Sequence, residues 1–158
     1  MIHDRIEDFA AALAPMRALI GLDLGEKTIG VAASDALLSA ASAVEIIGRK
    51  KFGIDAARVL EIASAREAAG LVLGLPRNMD GSEGRRCQST RAFARNLRRL
   101  TDLPIGFWDE RLSTVAAQRA LLEADLTRKR RKEVIDAVAA AYILQGALDR
   151  LKHLRAGI

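Results

Sequence analysis

An acidic residue inside an apolar strand is the first feature of this sequence that could do chemistry. Asp23 lies within LIGLDLG, where the two-residue repeat of a strand places Gly21, Asp23 and Gly25 on one face. Glycine on both sides leaves room for a ligand or a metal ion to approach the carboxylate. An Asp at a strand end can equally cap a turn, so Asp23 alone does not decide between a site and a turn.

Two more acids follow a short apolar strand later in the chain. Asp109 and Glu110 stand in FWDERLST, at the carboxyl end of a predicted strand, which is where open α/β sheets bind ligands. Successive side chains point in different directions, so we expect at most one of the two to share a site with Asp23. Taken by themselves, both are better explained as polar loop residues.

A fourth acid, Asp136, lies in the alanine-rich segment EVIDAVAAAYIL. Its neighbours at helical spacing are Ala139, Ala140 and Ile143, which are small or apolar. A carboxylate taken out of water without a partner is destabilising, so a buried Asp136 would need one. The residue also falls near the start of a helix predicted over residues 133–151, where the helix dipole favours an anion. The small neighbours favour a buried site over this second explanation.

Acids from a first strand, a later strand end and a terminal helix can meet at one edge of a sheet. Two carboxylates ~4 Å apart repel by about 1 kcal/mol in water and about 4 kcal/mol at an effective dielectric constant of 20. Such a meeting therefore requires a cation, and oxygen ligands of this kind suit Mg²⁺ or Mn²⁺.

The elements that would position these acids follow from the apolar pattern, which alternates strands with helices. This order predicts a mixed α/β sheet with parallel members, to which the opening hairpin adds antiparallel edge strands. The predicted strands are a hairpin (17–24 and 28–34) and three further strands at 44–47, 71–75 and 104–108. The predicted helices are a short one that ends near Pro15, then 54–69 (ended by Gly70), 85–100, a helix from Ser113 or Thr114 to about 124, and the last helix. A basic connector (126–132) precedes the last helix.

Composition limits the class of protein. The 158 residues suit one domain, which we place at residues 17–152, with residues 1–16 as an N-terminal extension. The 25 Lys and Arg residues exceed the 20 Asp and Glu residues, an excess that suits a polyanionic partner. A single cysteine excludes an internal disulfide, and the N-terminus has neither a signal sequence nor a membrane span. We therefore expect a cytoplasmic protein with no membrane partner.

Four segments together resemble one known family. LIGLDLGEKTIGVAASD, LVLGLPRNMDGSEG, FWDERLST and KEVIDAVAAAYILQ are similar in order and spacing to the motifs of the YqgF family, described as Holliday junction resolvases and as pre-16S rRNA nucleases. The resemblance implies a ribonuclease H-like fold and metal-dependent hydrolysis of phosphodiester bonds. It implies that Asp23, Glu110 and Asp136 are the catalytic, metal-binding acids, with two Mg²⁺ or Mn²⁺ ions, and that the loop 74–81 borders the site.

Contacts to nucleic acid are expected from basic residues near these acids. The run 128–132 adjoins the helix that carries Asp136 and is the strongest candidate. A strip formed by Arg91, Arg95 and Arg98 is better explained as solvated surface. The full candidate set is Lys27, Arg77, Asn78, Arg111, Arg128, Lys129, Arg130, Arg131 and Lys132.

The favoured function is processing of the 5′ end of pre-16S rRNA. Three alternatives stay open: a resolvase of branched DNA, a non-catalytic nucleic-acid-binding module, and an actin-like or sugar-kinase ATPase. The last is disfavoured because such enzymes use two domains of this size around the nucleotide. Precursor rRNA is the favoured partner, and a homodimer would be expected of a junction resolvase, which acts on two strands.

Overall fold

The computed structural model describes residues 1–112 and 128–157, and for residues 128–136 the backbone alone. Within these residues the strands are β1 (Ile2–His3), β2 (Leu19–Leu24), β3 (Thr28–Ser34), β4 (Ala41–Gly48), β5 (Gly70–Leu75) and β6 (Ile105–Asp109). The helices are α1 (Ile6–Ala12), α2 (Phe52–Ala65), α3 (Arg85–Leu97) and α4 (Arg128–Arg155), and a 3-10 turn spans Glu110–Leu112. The helix predicted from Ser113 or Thr114 to about 124 lies outside the described residues.

The strands form one mixed sheet in the order β1-β6-β5-β2-β3-β4, which confirms the predicted mixed α/β class. Strands β1, β6, β5 and β2 run parallel to one another, while β3 is antiparallel to both β2 and β4. The prediction that the hairpin supplies edge strands is wrong for β2 and β3, since β4 forms the edge. All six residues of β2 are buried, because helices cover both faces of the sheet at this strand.

The alternation of side chains along β2 divides the core into two layers. Ile20 and Leu22 pack with α2 and α3 on one face of the sheet. Leu19 packs with Phe9 of α1 and with Leu144 of α4 on the other face. Asp23 has the same parity as Leu19, so the strand directs it toward the layer that contains α4.

The N-terminal segment is built into this second layer. Strand β1, which the sequence did not predict, pairs with β6, and Phe9 of α1 is fully buried. A Cβ atom on Gly106 would lie 2.7 Å from the Phe9 ring, and one on Gly70 would lie 3.0 Å from it. Only glycine at these two positions lets the ring approach the sheet this closely. The boundary at residue 16 between extension and domain stays a prediction.

Helix α2 ends earlier than the pattern predicts, at Ala65 and not at Gly70. Glu67 takes the left-handed conformation (φ 52°) that glycine usually supplies after a helix. The Ala68 N–H donates to the Ala63 carbonyl at 2.9 Å and the Glu67 N–H donates to the Ser64 carbonyl at 3.1 Å. These two bonds satisfy carbonyls of the last turn, so the helix closes without a glycine.

Helix α4 begins earlier than predicted. The basic run 128–132 forms its first turns, so the predicted connector is wrong for these residues. Arg and Lys are good helix formers, which accounts for the extension. Asp136 is therefore the ninth residue of the helix, beyond the first turn, where the dipole no longer explains an acid. Within the described residues, no helix is both long enough and apolar enough to cross a bilayer.

Truncation of the buried N-terminal ring tests whether residues 1–16 stabilise the sheet. We expect Phe9→Ala to lower the free energy of unfolding by about 3–5 kcal/mol, because it leaves a cavity against Gly70 and Gly106. Met16→Ala in the same segment removes an exposed side chain and should change it by less than about 0.5 kcal/mol. Urea unfolding measures both. Equal stability of the two variants would contradict the packing role of Phe9.

Candidate active site

Asp23 lies near the end of β2 and is 2% exposed. Its neighbours across the sheet are glycines, since Asp23 pairs with Gly30 of β3 and Gly74 follows Leu73, the partner of Leu22 in β5. On its own strand, Gly21 would place a Cβ atom 2.8 Å from the Leu144 Cβ atom of α4. The Asp23 carboxylate therefore stands on the α4 face of the sheet, flanked by residues without side chains.

Glu110 lies close to Gly74, on the side of β5 that faces β6. It begins the 3-10 turn directly after β6, and its Oε1 atom lies 3.1 Å from the position of a Cβ atom on Gly74. Gly74 is therefore bordered by Asp23 in the next strand and by the Glu110 carboxylate. Two of the three acids that the resemblance singled out therefore lie at one edge of the sheet, and their joint catalytic role stays a prediction.

Asp109, the neighbour of Glu110, is held by a different partner. The Arg111 backbone N–H donates to Asp109 Oδ1 at 3.0 Å, and Arg111 Nη2 donates to Oδ2 at 2.7 Å. Burial alone would raise the pKa of Asp109, but these bonds outweigh it and leave the pKa below its usual value. This local ion pair favours Glu110 over Asp109 as the partner of Asp23.

Helix α4, which carries the third acid, packs on the same strands. The Ala140 carbonyl oxygen lies 3.1 Å from the position of a Cβ atom on Gly21, so the helix backbone rests directly on β2. Asp136 is one helical turn before Ala140 in the same helix. Its side chain lies outside the described residues, and its role as a ligand stays a prediction.

The loop of residues 76–84 follows β5 at the same edge. Its turn is closed by bonds from the Gly81 N–H to the Asn78 carbonyl and from the Asn78 N–H to the Ser82 carbonyl, both 2.9 Å. Gly81 has a φ of 90°, which requires glycine. The Asn78 Nδ2 atom donates to Ser82 Oγ at 3.0 Å, so Asn78 holds the loop in shape.

The predicted basic residues fall into three groups. Lys27 is exposed in the turn of the β2–β3 hairpin. Arg77 and Arg111 are paired with acids, since Arg77 Nη2 lies 3.4 Å from Glu83 Oε2 and Arg111 is bound to Asp109. The remaining candidates, Arg128, Lys129, Arg130, Arg131 and Lys132, lie in the first turns of α4, and their side chains are outside the described residues.

The prediction that Arg91 belongs to a solvated strip is wrong. Its guanidinium binds both Glu83 oxygens and Asp4, and it lies 4.9 Å from the centre of the Phe107 ring. Arg95 and Arg98 of the same strip are exposed.

Two further arginines near Asp23 escaped the sequence reasoning. Arg49 Nη1 donates to the Gly25 carbonyl at 2.7 Å, and Arg86 Nη2 reaches the Leu24 carbonyl at 3.5 Å. Both contact the backbone at the end of β2, beside the buried acid. Contacts from side chains to a distant backbone leave no pattern in the sequence, so no signal could have found them.

Comparison with known proteins identifies the family. The RuvX family model, described as Holliday junction resolvase, matches residues 17–150. This chain belongs to the RuvX family. Relatives from Ruegeria sp. (strain TM1040) and Jannaschia sp. (strain CCS1) are 72% and 66% identical and carry the name "Putative pre-16S rRNA nuclease". The alignments cover 98% and 99% of this chain and 99% of each relative.

Solved structures place the RuvX chain in the ribonuclease H-like fold, as the resemblance implied. RuvC of Thermus thermophilus in complex with a Holliday junction substrate aligns with a TM-score of 0.54 at 15% identity, covering 86% of this chain and 96% of that one. The yeast mitochondrial Holliday junction resolvase aligns with a TM-score of 0.50 at 10% identity, covering 96% and 88%. At these identities the likeness concerns the fold alone.

The acids of the RuvX chain fit a hard divalent cation. Asp23 and Glu110 offer carboxylate oxygens at a glycine-lined edge, and such oxygens are the ligands that Mg²⁺ and Mn²⁺ prefer. Within the described residues, no group of three or more His, Cys, Asp and Glu side chains is arranged to hold a metal ion. A third protein ligand would therefore have to come from a residue such as Asp136.

Gly74→Ala tests the space shared by the two acids. The new methyl group would overlap Ile143 Cδ1 and crowd Glu110 Oε1, so we expect the free energy of unfolding to fall by about 1–3 kcal/mol. Displacement of Glu110 should reduce metal-dependent cleavage by roughly 100-fold. Urea unfolding and a cleavage assay measure the two effects separately.

Two control variants separate packing from chemistry at Gly74. Gly53→Ala in α2 meets no atom within 4 Å and should leave both stability and cleavage near those of the parent. Adding Ile143→Val to Gly74→Ala removes the overlapping methyl group and should recover stability without recovering cleavage. Recovery of both would show that Glu110 is not disturbed and would contradict the assignment.

Proposed function

We propose that this chain is a divalent-metal-dependent nuclease that processes the 5′ end of pre-16S rRNA. The observation that carries the proposal is the pair Asp23 and Glu110, which border Gly74 at the carboxyl end of the parallel strands. Relatives that are 72% and 66% identical over nearly their whole length are named as pre-16S rRNA nucleases. The ribonuclease H-like fold supports the same reaction class.

In this mechanism Asp23, Glu110 and Asp136 would hold the metal ions. Bound there, divalent ions would supply Lewis-acid stabilisation of the charge on the scissile phosphate and would lower the pKa of an attacking water. The buried position of Asp23 limits access of bulk solvent, which strengthens the electrostatic interactions of its carboxylate. No histidine base is needed, and both histidines of the chain lie near its ends.

The basic residues around the acids would bind the substrate backbone. Arg77 and Arg111 lie at the same edge of the sheet as the acids, and Lys27 projects from the adjacent hairpin. The run 128–132 adds five cations at the start of the helix that carries Asp136. Contacts of this kind position the phosphates without reading sequence.

A second candidate function is resolution of branched DNA. The description of the matching family model and the fold shared with RuvC favour it. A homodimer would suit this activity, and size-exclusion chromatography with light scattering tests it. The near-complete match to relatives named for pre-rRNA leads us to prefer the RNA substrate. The same substrate implies that the protein acts in the cytoplasm.

Asp23→Asn is the decisive variant for catalysis. It keeps the size of the side chain but removes the charge that would hold the cation, so we expect Mg²⁺- or Mn²⁺-dependent cleavage to fall about 1000-fold, the equivalent of several kcal/mol of transition-state stabilisation. Binding of the substrate should persist. Asp102→Asn removes an exposed carboxylate elsewhere and should cleave like the parent.

The same assay distinguishes the candidate functions. Parent and variant proteins are offered a pre-16S rRNA 5′ fragment, a four-way DNA junction and a single-stranded DNA side by side with Mg²⁺ or Mn²⁺. Faster cleavage of the rRNA fragment supports the proposal, and faster cleavage of the junction supports the resolvase. Binding without cleavage by the parent would indicate a non-catalytic module, and undiminished cleavage by Asp23→Asn would refute the catalytic assignment.

A further inference from the structure

Four charged residues from the N-terminal segment, the loop 76–84 and α3 form a network, which we call the Glu83 network: Asp4, Arg77, Glu83 and Arg91. Arg91 lies at its centre, with Nε 2.6 Å from Glu83 Oε1, Nη2 2.8 Å from Glu83 Oε2 and Nη1 2.7 Å from Asp4 Oδ1. Both nitrogen edges of the guanidinium are thus occupied. The network links the N-terminal segment to the loop 76–84.

Glu83 is shared unequally between two arginines. Its Oε2 atom lies 2.8 Å from Arg91 Nη2 but 3.4 Å from Arg77 Nη2. The bidentate bond to Arg91 has the short geometry of a strong charge-assisted pair, whereas the contact with Arg77 is long. Arg91 also holds the pKa of Glu83 below its usual value, so Glu83 stays ionised.

Arg77 lies where a phosphate of the substrate could reach it. It follows the end of β5 by two residues and is three residues beyond Gly74, which borders both acids. It also lines a surface cavity of about 390 Å³ together with Trp108 and Asp109. About a third of its side chain is exposed, so a ligand can bind it without unfolding the loop.

We propose that Arg91 is a positioning residue that occupies the Glu83 carboxylate and thereby leaves Arg77 available to a phosphate of the nucleic-acid substrate. Asp4 and the Phe107 ring fix Arg91 in this role, which gives the N-terminal segment a part in substrate binding. Without Arg91, Arg77 would be the one cation still paired with Glu83 among the described residues, and Glu83 would close on it. This inference rests on the proposed function, since it assumes a nucleic-acid substrate.

Binding can be measured without cleavage. The probe is a fluorescein-labelled single-stranded RNA covering the 5′ end of pre-16S rRNA, titrated with the full chain in EDTA and followed by fluorescence anisotropy at several salt concentrations. Arg77→Met and Arg91→Met should each weaken binding by roughly fivefold to tenfold and lower the slope of log K against log salt by about 0.7, the value for one contact with a single strand. The matched control Arg98→Met removes an exposed arginine from the same strip. It should change the affinity and the salt slope less than either of the other variants.

Suppression separates this role from a structural one. Adding Glu83→Gln to Arg91→Met removes the carboxylate that captures Arg77, so both the affinity and the salt slope should return toward the parent values. Adding Asp4→Asn to Arg91→Met gives the same net charge but leaves Glu83 in place, so it should not restore them. Within the Arg77→Met background, Glu83→Gln should have no restoring effect.

Other outcomes would overturn the inference. Equal restoration by Glu83→Gln and Asp4→Asn would show that net charge alone matters. Restoration by neither would show that Arg91 contacts the RNA itself or merely stabilises the loop. Thermal unfolding checks that each variant is folded. If Arg91→Met does not fold, Arg91→Lys replaces it, because a lysine cannot bind both Glu83 oxygens as the guanidinium does. Glu83→Gln should restore binding in that background too. No binding and no metal-dependent cleavage by the parent would instead refute the proposed function.

Discussion

Close approach between the sheet and the helices on one of its faces is the constraint on which this structure depends. The residues at the contact points are glycines: Gly21 and Gly74 beneath α4, and Gly70 and Gly106 beneath Phe9 of α1. A methyl group at any of them would meet a neighbouring atom at 3.0 Å or less, which close-packed interiors do not tolerate. The absence of these side chains lets the helices lie close to the sheet, and Glu110 borders the space that Gly74 leaves beside Asp23.

The order of strands and helices after β1 could be predicted because the central strands leave a strong local signal. The continuous apolar runs at residues 71–75 and 104–108 are typical of central strands covered on both faces, and both are strands here. Element ends were predicted less well. Glu67 follows α2 in the left-handed conformation, which a glutamate in the sequence does not predict. The run 128–132 was interpreted as a connector although its residues favour helix. Strand β1 is two residues long and depends wholly on its pairing with β6.

The site residues that could be predicted are those whose signal is local in the sequence, and the ones that were missed depend on distant contacts. Asp23 could be singled out because its glycine neighbours are two residues away in the sequence. The glycine within LVLGL carried a usable signal as well, since glycine inside a strand marks close approach, although its contact with Glu110 could not be foreseen. Arg91 was misjudged because its partners Glu83 and Asp4 are 8 and 87 positions away. Exposed arginines at helical spacing cannot be distinguished from arginines in partly buried ion pairs without the fold.

The pairing of β1 with β6 also has a consequence for the order of folding. Ile2 lies beside Ile105, so strand β1 cannot find its partner until synthesis has passed residue 105. Phe9 cannot be buried before this point either, because Gly106 forms part of its pocket. Contacts between such distant residues are slow to form, since a long loop must close first. During synthesis the N-terminal segment therefore presents an apolar ring to its surroundings, and it docks only after β6 has joined the sheet.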